Sequence, residues 1–144
     1  MRRSLPDESA TQALAQRLAA KARPGDVLLL HGPLGAGKST LARAFIRELA
    51  QDPALPVPSP TFTLVQSYDT PRGPVFHYDL WRLDGPDALA ELGWDEAQDG
   101  IVLVEWAERL GPLSPPGALH LTLSHQGTGR EIELSGNEKW FDES

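Results

Sequence analysis

The run Gly32-Pro33-Leu34-Gly35-Ala36-Gly37-Lys38-Ser39 has the form G-x-x-x-x-G-K-[ST], the pattern of a phosphate-binding loop. Before it stands Asp26-Val27-Leu28-Leu29-Leu30-His31, a short apolar run that reads as a buried strand. After it, residues 40–49 place apolar side chains at helical spacing. Strand, glycine loop and helix in this order is the setting that such a loop needs. Chance alone would write the pattern in roughly one chain of this size in 200, so a bare Gly-rich turn is the weaker explanation.

The chemistry asks for these residue types. Glycines let the backbone curl until several N–H groups point inward at phosphate oxygens. The helix opening at Lys38 adds its partly positive N-terminus. Lys38 is placed to reach the β- and γ-phosphates, and the Ser39 hydroxyl to bind Mg²⁺.

Composition narrows the class. A length of 144 residues fits one domain with its own core. A formal net charge of −7 argues against direct, tight binding to tRNA or DNA. There is no cysteine, hence no disulfide framework and no thiolate metal site. Asp7 and Glu8 closely follow Arg2 and Arg3 with no apolar stretch, so no signal peptide is expected. No apolar run approaches the ~20 residues of a membrane span. The expectation is a cytoplasmic, enzyme-like domain without membrane contact.

Along the chain, residues 3–5 suggest an edge strand, and Asp7, Ser9 or Thr11 can cap the next helix. Leu14, Leu18 and Ala22, with Ala15 and Ala19, form its core face. Pro24-Gly25 ends it. Residues 52–60 hold four prolines and must be a stiff, extended connection. It reads either as a plain linker or as a loop held near the nucleotide, ending in Thr61-Phe62-Thr63. Residues 64–68 and 75–79 read as a half-exposed hairpin around a turn at 69–74. Residues 86–92 suggest a short helix closed by Gly93, with Asp84 as a cap. Residues 101–105 form the second clearly buried strand, and 107–110 a helical turn before a Pro/Gly-rich loop. Residues 118–124 and 130–134 alternate as a terminal hairpin. The predicted fold is α/β: a single-domain P-loop NTPase over residues 1–135, with a parallel core sheet, antiparallel hairpin additions and flanking helices. Residues 136–144 read as a polar C-terminal tail, with Trp140 and Phe141 able to dock back.

Hydrolysis of a nucleotide also needs a carboxylate for Mg²⁺ or its waters and a group that orients the attacking water. Two acids end apolar strands: Glu105 after 101–104, and Asp79 after 75–78. Glu105 has the more buried strand and is the better Mg²⁺-associated carboxylate. Asp79 is the second acid, acting on metal-bound or attacking water. The only asparagine is Asn137, followed by Glu138, so the guanine-reading Asn-Lys-x-Asp motif is absent and adenine is the expected base. Trp106 is either a neighbour of the base or core packing. The four histidines show no metal-ligand spacing; His31 and His77 read as ordinary strand residues, though His77 shares a strand face with Asp79. Arg82 and Arg109 follow the two acids and are candidates to approach the phosphates. No arginine finger is evident, which predicts slow turnover by the protein alone.

Several blocks together carry a family resemblance. They are Gly25-Asp26; Gly35-Ala36-Gly37-Lys38-Ser39-Thr40; Ser59-Pro60-Thr61-Phe62-Thr63-Leu64-Val65; His77-Tyr78-Asp79-Leu80-Trp81-Arg82-Leu83; Glu91-Leu92-Gly93; and Glu105-Trp106-Ala107-Glu108-Arg109-Leu110. In this order the chain resembles the bacterial TsaE (YjeE) ATPases of tRNA threonylcarbamoyladenosine (t6A) biosynthesis. The resemblance implies an ATPase that works with the TsaB–TsaD pair, resets that complex between rounds, and meets tRNA only indirectly. It implies Mg²⁺ contacts at Ser39 or Thr40 and at Glu105, a functional acid at Asp79, and a switch-like loop at Thr61. Departures from the family pattern are Pro33 for a common Asp, Ser39 for Thr, and Ala107 for Pro.

The expected site is therefore catalytic Lys38, Asp79 and Glu105; nucleotide contacts from Pro33, Leu34, Gly35, Ala36, Gly37, Lys38, Ser39, Thr40 and Thr61; and metal contacts from Ser39 and Glu105, with ATP and Mg²⁺ as cofactors. Two alternatives stay open. One is a nucleotide-gated binding module in which ATP orders residues 59–65 for partner docking. The other is a small-molecule kinase, against which stands the lack of an arginine-rich lid.

Overall fold

A computed structural model describes residues 1–33, 35–60, 63–83, 85–136 and 138–141. The expectations placed on Leu34, Thr61, Phe62 and Asp84 lie outside the described residues. In chain order the elements are β1 (Arg2–Leu5), α1 (Glu8–Lys21), β2 (Val27–His31), α2 (Lys38–Ala50), β3 (Val65–Thr70), β4 (Gly73–Asp79), a 3-10 turn (Pro86–Leu92), α3 (Trp94–Ala97), β5 (Ile101–Glu105), a second 3-10 turn (Ala107–Leu113), β6 (Leu119–Gln126), β7 (Gly129–Ser135) and a last 3-10 turn (Glu138–Phe141).

All seven strands join one sheet in the order β1-β7-β6-β2-β5-β4-β3. The four central strands, β6-β2-β5-β4, run parallel; the hairpin partners β3 and β7 extend the two edges antiparallel, and β1 adds antiparallel beyond β7. Aliphatic runs such as Val27–Leu30 can sit only where both faces of a sheet are covered. On one face Leu28, Leu30, Ile101 and Leu103 pack under α1 and α2. On the other, Val27, Leu29, Val102 and Val104 pack under Leu80, Leu89, Trp94 and Leu110.

Helix α1 begins where Asp7 accepts a hydrogen bond from the Ala10 N–H at 2.9 Å. Its Ala15 and Ala19 are fully buried, so it can lie close to α2. Helix α2 buries Leu41, Ala42, Phe45, Ile46 and Leu49 at helical spacing. Each large one contributes about 1.5–3 kcal/mol through burial. Arg72, at the turn between β3 and β4, sends one guanidinium nitrogen to the carbonyls of Ala19, Ala20 and Ala22, each at 3.0 Å. It thus satisfies carbonyls that the end of α1 leaves open.

Three local expectations need correction. The β3–β4 turn is only Pro71-Arg72, because both strands run on to Thr70 and from Gly73. Strand β4 is not half-exposed: it pairs with β5 as well as β3, so Val75, His77, Tyr78 and Asp79 are all buried. The Pro/Gly-rich segment after residue 110 continues the 3-10 turn to Leu113 through a non-helical Gly111. At the C-terminal end, Trp140 is buried against the α1 face of the core, and Lys21 Nζ donates to its carbonyl at 3.2 Å.

Candidate nucleotide site

β2, β4 and β5 all point their C-terminal ends the same way, which brings His31, Asp79 and Glu105 to one edge of the sheet. That edge is where ligands bind in open α/β sheets. The glycine loop leaves β2 there and enters α2. Gly32 sits at φ 134°, and a Cβ on it would lie 2.3 Å from the Leu123 carbonyl oxygen, so no other residue fits. Gly37, at φ 102°, precedes α2 and supplies no side-chain cap. The first N–H groups of α2 are therefore not taken by a side chain at this position.

Lys38 is 5% exposed. Its Nζ donates to the Gly32 carbonyl at 2.6 Å and lies 3.7 Å from the centroid of the Trp106 ring. Burial pushes the Lys38 ammonium below its ordinary value, and the nearby Glu105, Glu108 and Asp79 carboxylates oppose that shift. Trp106 reaches this place through a left-handed backbone, φ 60° and ψ 47°, at the end of β5. Its ring also packs on Trp81, 4.4 Å between centroids.

Ser39 Oγ donates to Glu105 Oε1 at 3.1 Å. Glu105 Oε2 pairs with His77 Nε2 at 2.7 Å, and both side chains are buried. Asp79 is the register partner of Glu105 on the neighbouring strand. Its Oδ1 accepts the Trp81 N–H at 3.0 Å, and its Oδ2 accepts from Ser59 Oγ at 3.4 Å. The Pro-rich segment thus ends against the second acid.

These groups line one cleft of about 450 Å³. Lys38, Ser39, Thr40, Asp79 and Glu105 meet there, with Gly35 and Gly37 of the loop. Of the other expected contacts, Pro33 is exposed and Ala36 fully buried, and neither lines the cleft by its side chain. Leu34 and Thr61 lie outside the described residues. Arg109 lies over Trp81, 5.8 Å from its centroid, and Arg82 is exposed; neither lines the cleft. Among the described residues no three His, Cys, Asp or Glu side chains form a metal cage, and no helix is long and apolar enough to cross a membrane.

Sequence reasoning missed Arg130, His77 and the His31–His120 pair. Arg130, on β7, donates to the Gly35 carbonyl at 3.1 Å and walls the cleft. No local signal marks it, because the hairpin meets the loop only in three dimensions. His77 pairs with Glu105; its shared face with Asp79 was the available clue. His31 and His120 meet at 3.0 Å beside Glu108. Their strands are neighbours, β2 and β6, nearly ninety positions apart in sequence.

The family described as Threonylcarbamoyl adenosine biosynthesis protein TsaE matches residues 5–132. A tRNA threonylcarbamoyladenosine biosynthesis protein TsaE from Rickettsia felis is 39% identical over 120 residues, 83% of this chain and 70% of its own length. The Bacillus subtilis protein of the same name is 39% identical over 133 residues, 90% of this chain and 80% of its own. The crystal structure of Bacillus subtilis YdiB is similar with a TM-score of 0.76 and 30% identity, over 98% of this chain and 88% of that one. With the family's match running from β1 into β7, and relatives sharing more than a third of their residues over most of the fold, this chain belongs to the TsaE family of tRNA threonylcarbamoyladenosine biosynthesis proteins.

Proposed function

We propose that this protein is a P-loop ATPase of the t6A machinery, which binds ATP with Mg²⁺, hydrolyses it, and acts with TsaB and TsaD. The observation that carries the reading is the meeting of Lys38, Ser39, Asp79 and Glu105 in one cleft at the start of α2. The oxygens of Ser39 and Glu105, 3.1 Å apart, suit Mg²⁺, a hard cation that takes few protein oxygens and fills its shell with water and phosphate.

In this mechanism Lys38 leaves the Gly32 carbonyl for the β- and γ-phosphates and offsets the charge that develops there. Loop N–H groups and the N-terminus of α2 hold the remaining phosphate oxygens. Ser39 and Glu105 would hold Mg²⁺, and a bound Mg²⁺ would supply Lewis-acid stabilisation of the charge that develops on the phosphates. Asp79 orients the attacking water or a water of the metal. Water attacks phosphorus, the bond to ADP breaks, and inorganic phosphate leaves. Arg130 steadies the loop from the wall of the cleft through its bond to the Gly35 carbonyl.

The test is phosphate release from Mg-ATP by the protein alone and with TsaB–TsaD, for wild type and Lys38→Ala. Low turnover alone, a rise with the pair, and loss in Lys38→Ala are expected. No change with the pair while ATP still binds would remove the partner half of the reading. One observation favours a second reading, the nucleotide-gated binding module: the Ser59–Asp79 contact ties the segment before residue 60 to the cleft, so a bound nucleotide can order it for docking. Full docking with a non-hydrolysable ATP analogue, and normal pathway function in a Glu105→Ala protein that still binds ATP, would favour that version.

A further inference from the structure

His77 is 2% exposed in the middle of β4, opposite Leu103 on β5 and facing the side of the sheet that α2 covers. Its neighbours of the same parity on these strands, Val75, Ile101 and Leu103, are apolar and buried. Nε2 pairs with Glu105 Oε2 at 2.7 Å. Nδ1 is buried and has no hydrogen-bond partner among the described residues. A ring in that position costs the fold the desolvation of an unpaired nitrogen. An aliphatic side chain would fill the site without that cost. The one polar contact it makes accounts for its presence, and that contact is with the carboxylate proposed to meet Mg²⁺.

Glu105 divides its two oxygens. Oε2 is tied back into the sheet by His77, and Oε1 faces Ser39. A glutamate at the end of a strand has three rotatable side-chain bonds, and a second anchor leaves it one orientation. We propose that His77 is a positioning residue: by donating from Nε2 to Oε2 it aims Glu105 Oε1 at Ser39 and so sets how strongly Mg²⁺ and nucleotide promote each other's binding. The inference rests on the nucleotide reading above and adds a residue to it. Hydrogen-bond partners of metal-ligating side chains typically tune metal affinity about tenfold or more.

The test measures the affinity of a non-hydrolysable ATP analogue in Mg²⁺ and in EDTA, by calorimetry, for wild type, His77→Leu, His77→Gln and His77→Asn. In EDTA all are expected to bind alike. The gain in affinity on adding Mg²⁺ is expected to shrink about tenfold or more in His77→Leu. His77→Gln, whose amide extends to the position of Nε2, is expected to restore most of it. His77→Asn, one carbon shorter, is expected not to. If His77→Leu fails to fold, the two amides decide, since both are polar and only one reaches Oε2. A full Mg²⁺ gain in His77→Leu, or equal behaviour of the two amides, would overturn the positioning role while leaving the nucleotide site intact. A wild-type protein that binds no nucleotide would overturn the nucleotide reading, and this inference with it.

Discussion

Asp79 and Glu105 are register partners on neighbouring parallel strands, yet their carboxylates are held by different groups. Glu105 is gripped by Ser39 and His77, Asp79 by the Trp81 N–H and Ser59. Two acids at one strand edge with separate supports are suited to separate tasks. Glu105→Gln removes charge where the proposed Mg²⁺ would meet Ser39, so the Mg²⁺ concentration for half-maximal hydrolysis is expected to rise at least about tenfold. Asp79→Asn is expected to leave analogue binding nearly unchanged and to slow phosphate release by about 10²–10⁴. A Mg²⁺ titration of phosphate release, run beside binding assays on both variants, checks the division; identical profiles would refute it.

Lys38 is bonded to the Gly32 carbonyl and stacked on Trp106. In the proposed mechanism the Lys38 ammonium moves from the Gly32 carbonyl toward the phosphates and away from that ring. The environment of Trp106 is then expected to change when nucleotide binds. Tryptophan fluorescence is expected to shift on adding ATP, to lose most of that shift in Trp106→Phe, and to keep it in Trp94→Phe, whose ring is buried against Tyr78 and does not line the cleft. A shift undiminished in Trp106→Phe would count against the movement of Lys38.

Gly32 is the tightest place in the loop. A methyl there would meet the Leu123 carbonyl oxygen at 2.3 Å and would also have to adopt φ 134°. Such backbone strain alone costs about 1–3 kcal/mol, and the clash adds to it. Gly32→Ala is expected to lose at least about 2 kcal/mol of stability, a fall in Tm of roughly 5–10 °C, and to weaken nucleotide binding. Gly117→Ala, in open space with no heavy atom within 4 Å, is the control and is expected to leave the loop's function intact. Thermal unfolding and analogue titration of the two variants check this.

How much of this was legible depends on distance along the chain. The unit from β2 to α2 could be read because every signal in it is local: an apolar run, glycines, a Lys-Ser pair and helical spacing. Asp79 and Glu105 could be read because each ends its own apolar run. The burial of β4 could not, because its polar residues His77 and Asp79 make the strand look half-exposed although both are buried. The His77–Glu105 pair, the His31–His120 pair and the reach of Arg130 to Gly35 all depend on which strands become neighbours, and periodicity carries no information on strand order. Arg72 is similar: a turn residue by sequence, it becomes the cap of a distant helix.

His31 and His120 share a hydrogen bond at 3.0 Å with Glu108 alongside. Partial burial lowers the His31 pKa below its ordinary value of 6.5; His120 and Lys38 push the same way, and Glu108 opposes them. The sign follows from linkage. With its folded pKa lowered, His31 binds fewer protons in the folded than in the unfolded chain at pH values between that lowered pKa and 6.5. Stability from this group is therefore complete above pH 6.5 and is lost as pH falls through the window beneath it. His31→Gln keeps a polar side chain at the end of β2 without a titrating ring. Wild type is expected to lose more of its Tm than His31→Gln does when pH is lowered from about 7.5 to about 5.5, a span that brackets the ordinary histidine value. Thermal unfolding of both proteins in matched buffers checks it, and equal losses would mean that His31 is not the group that responds.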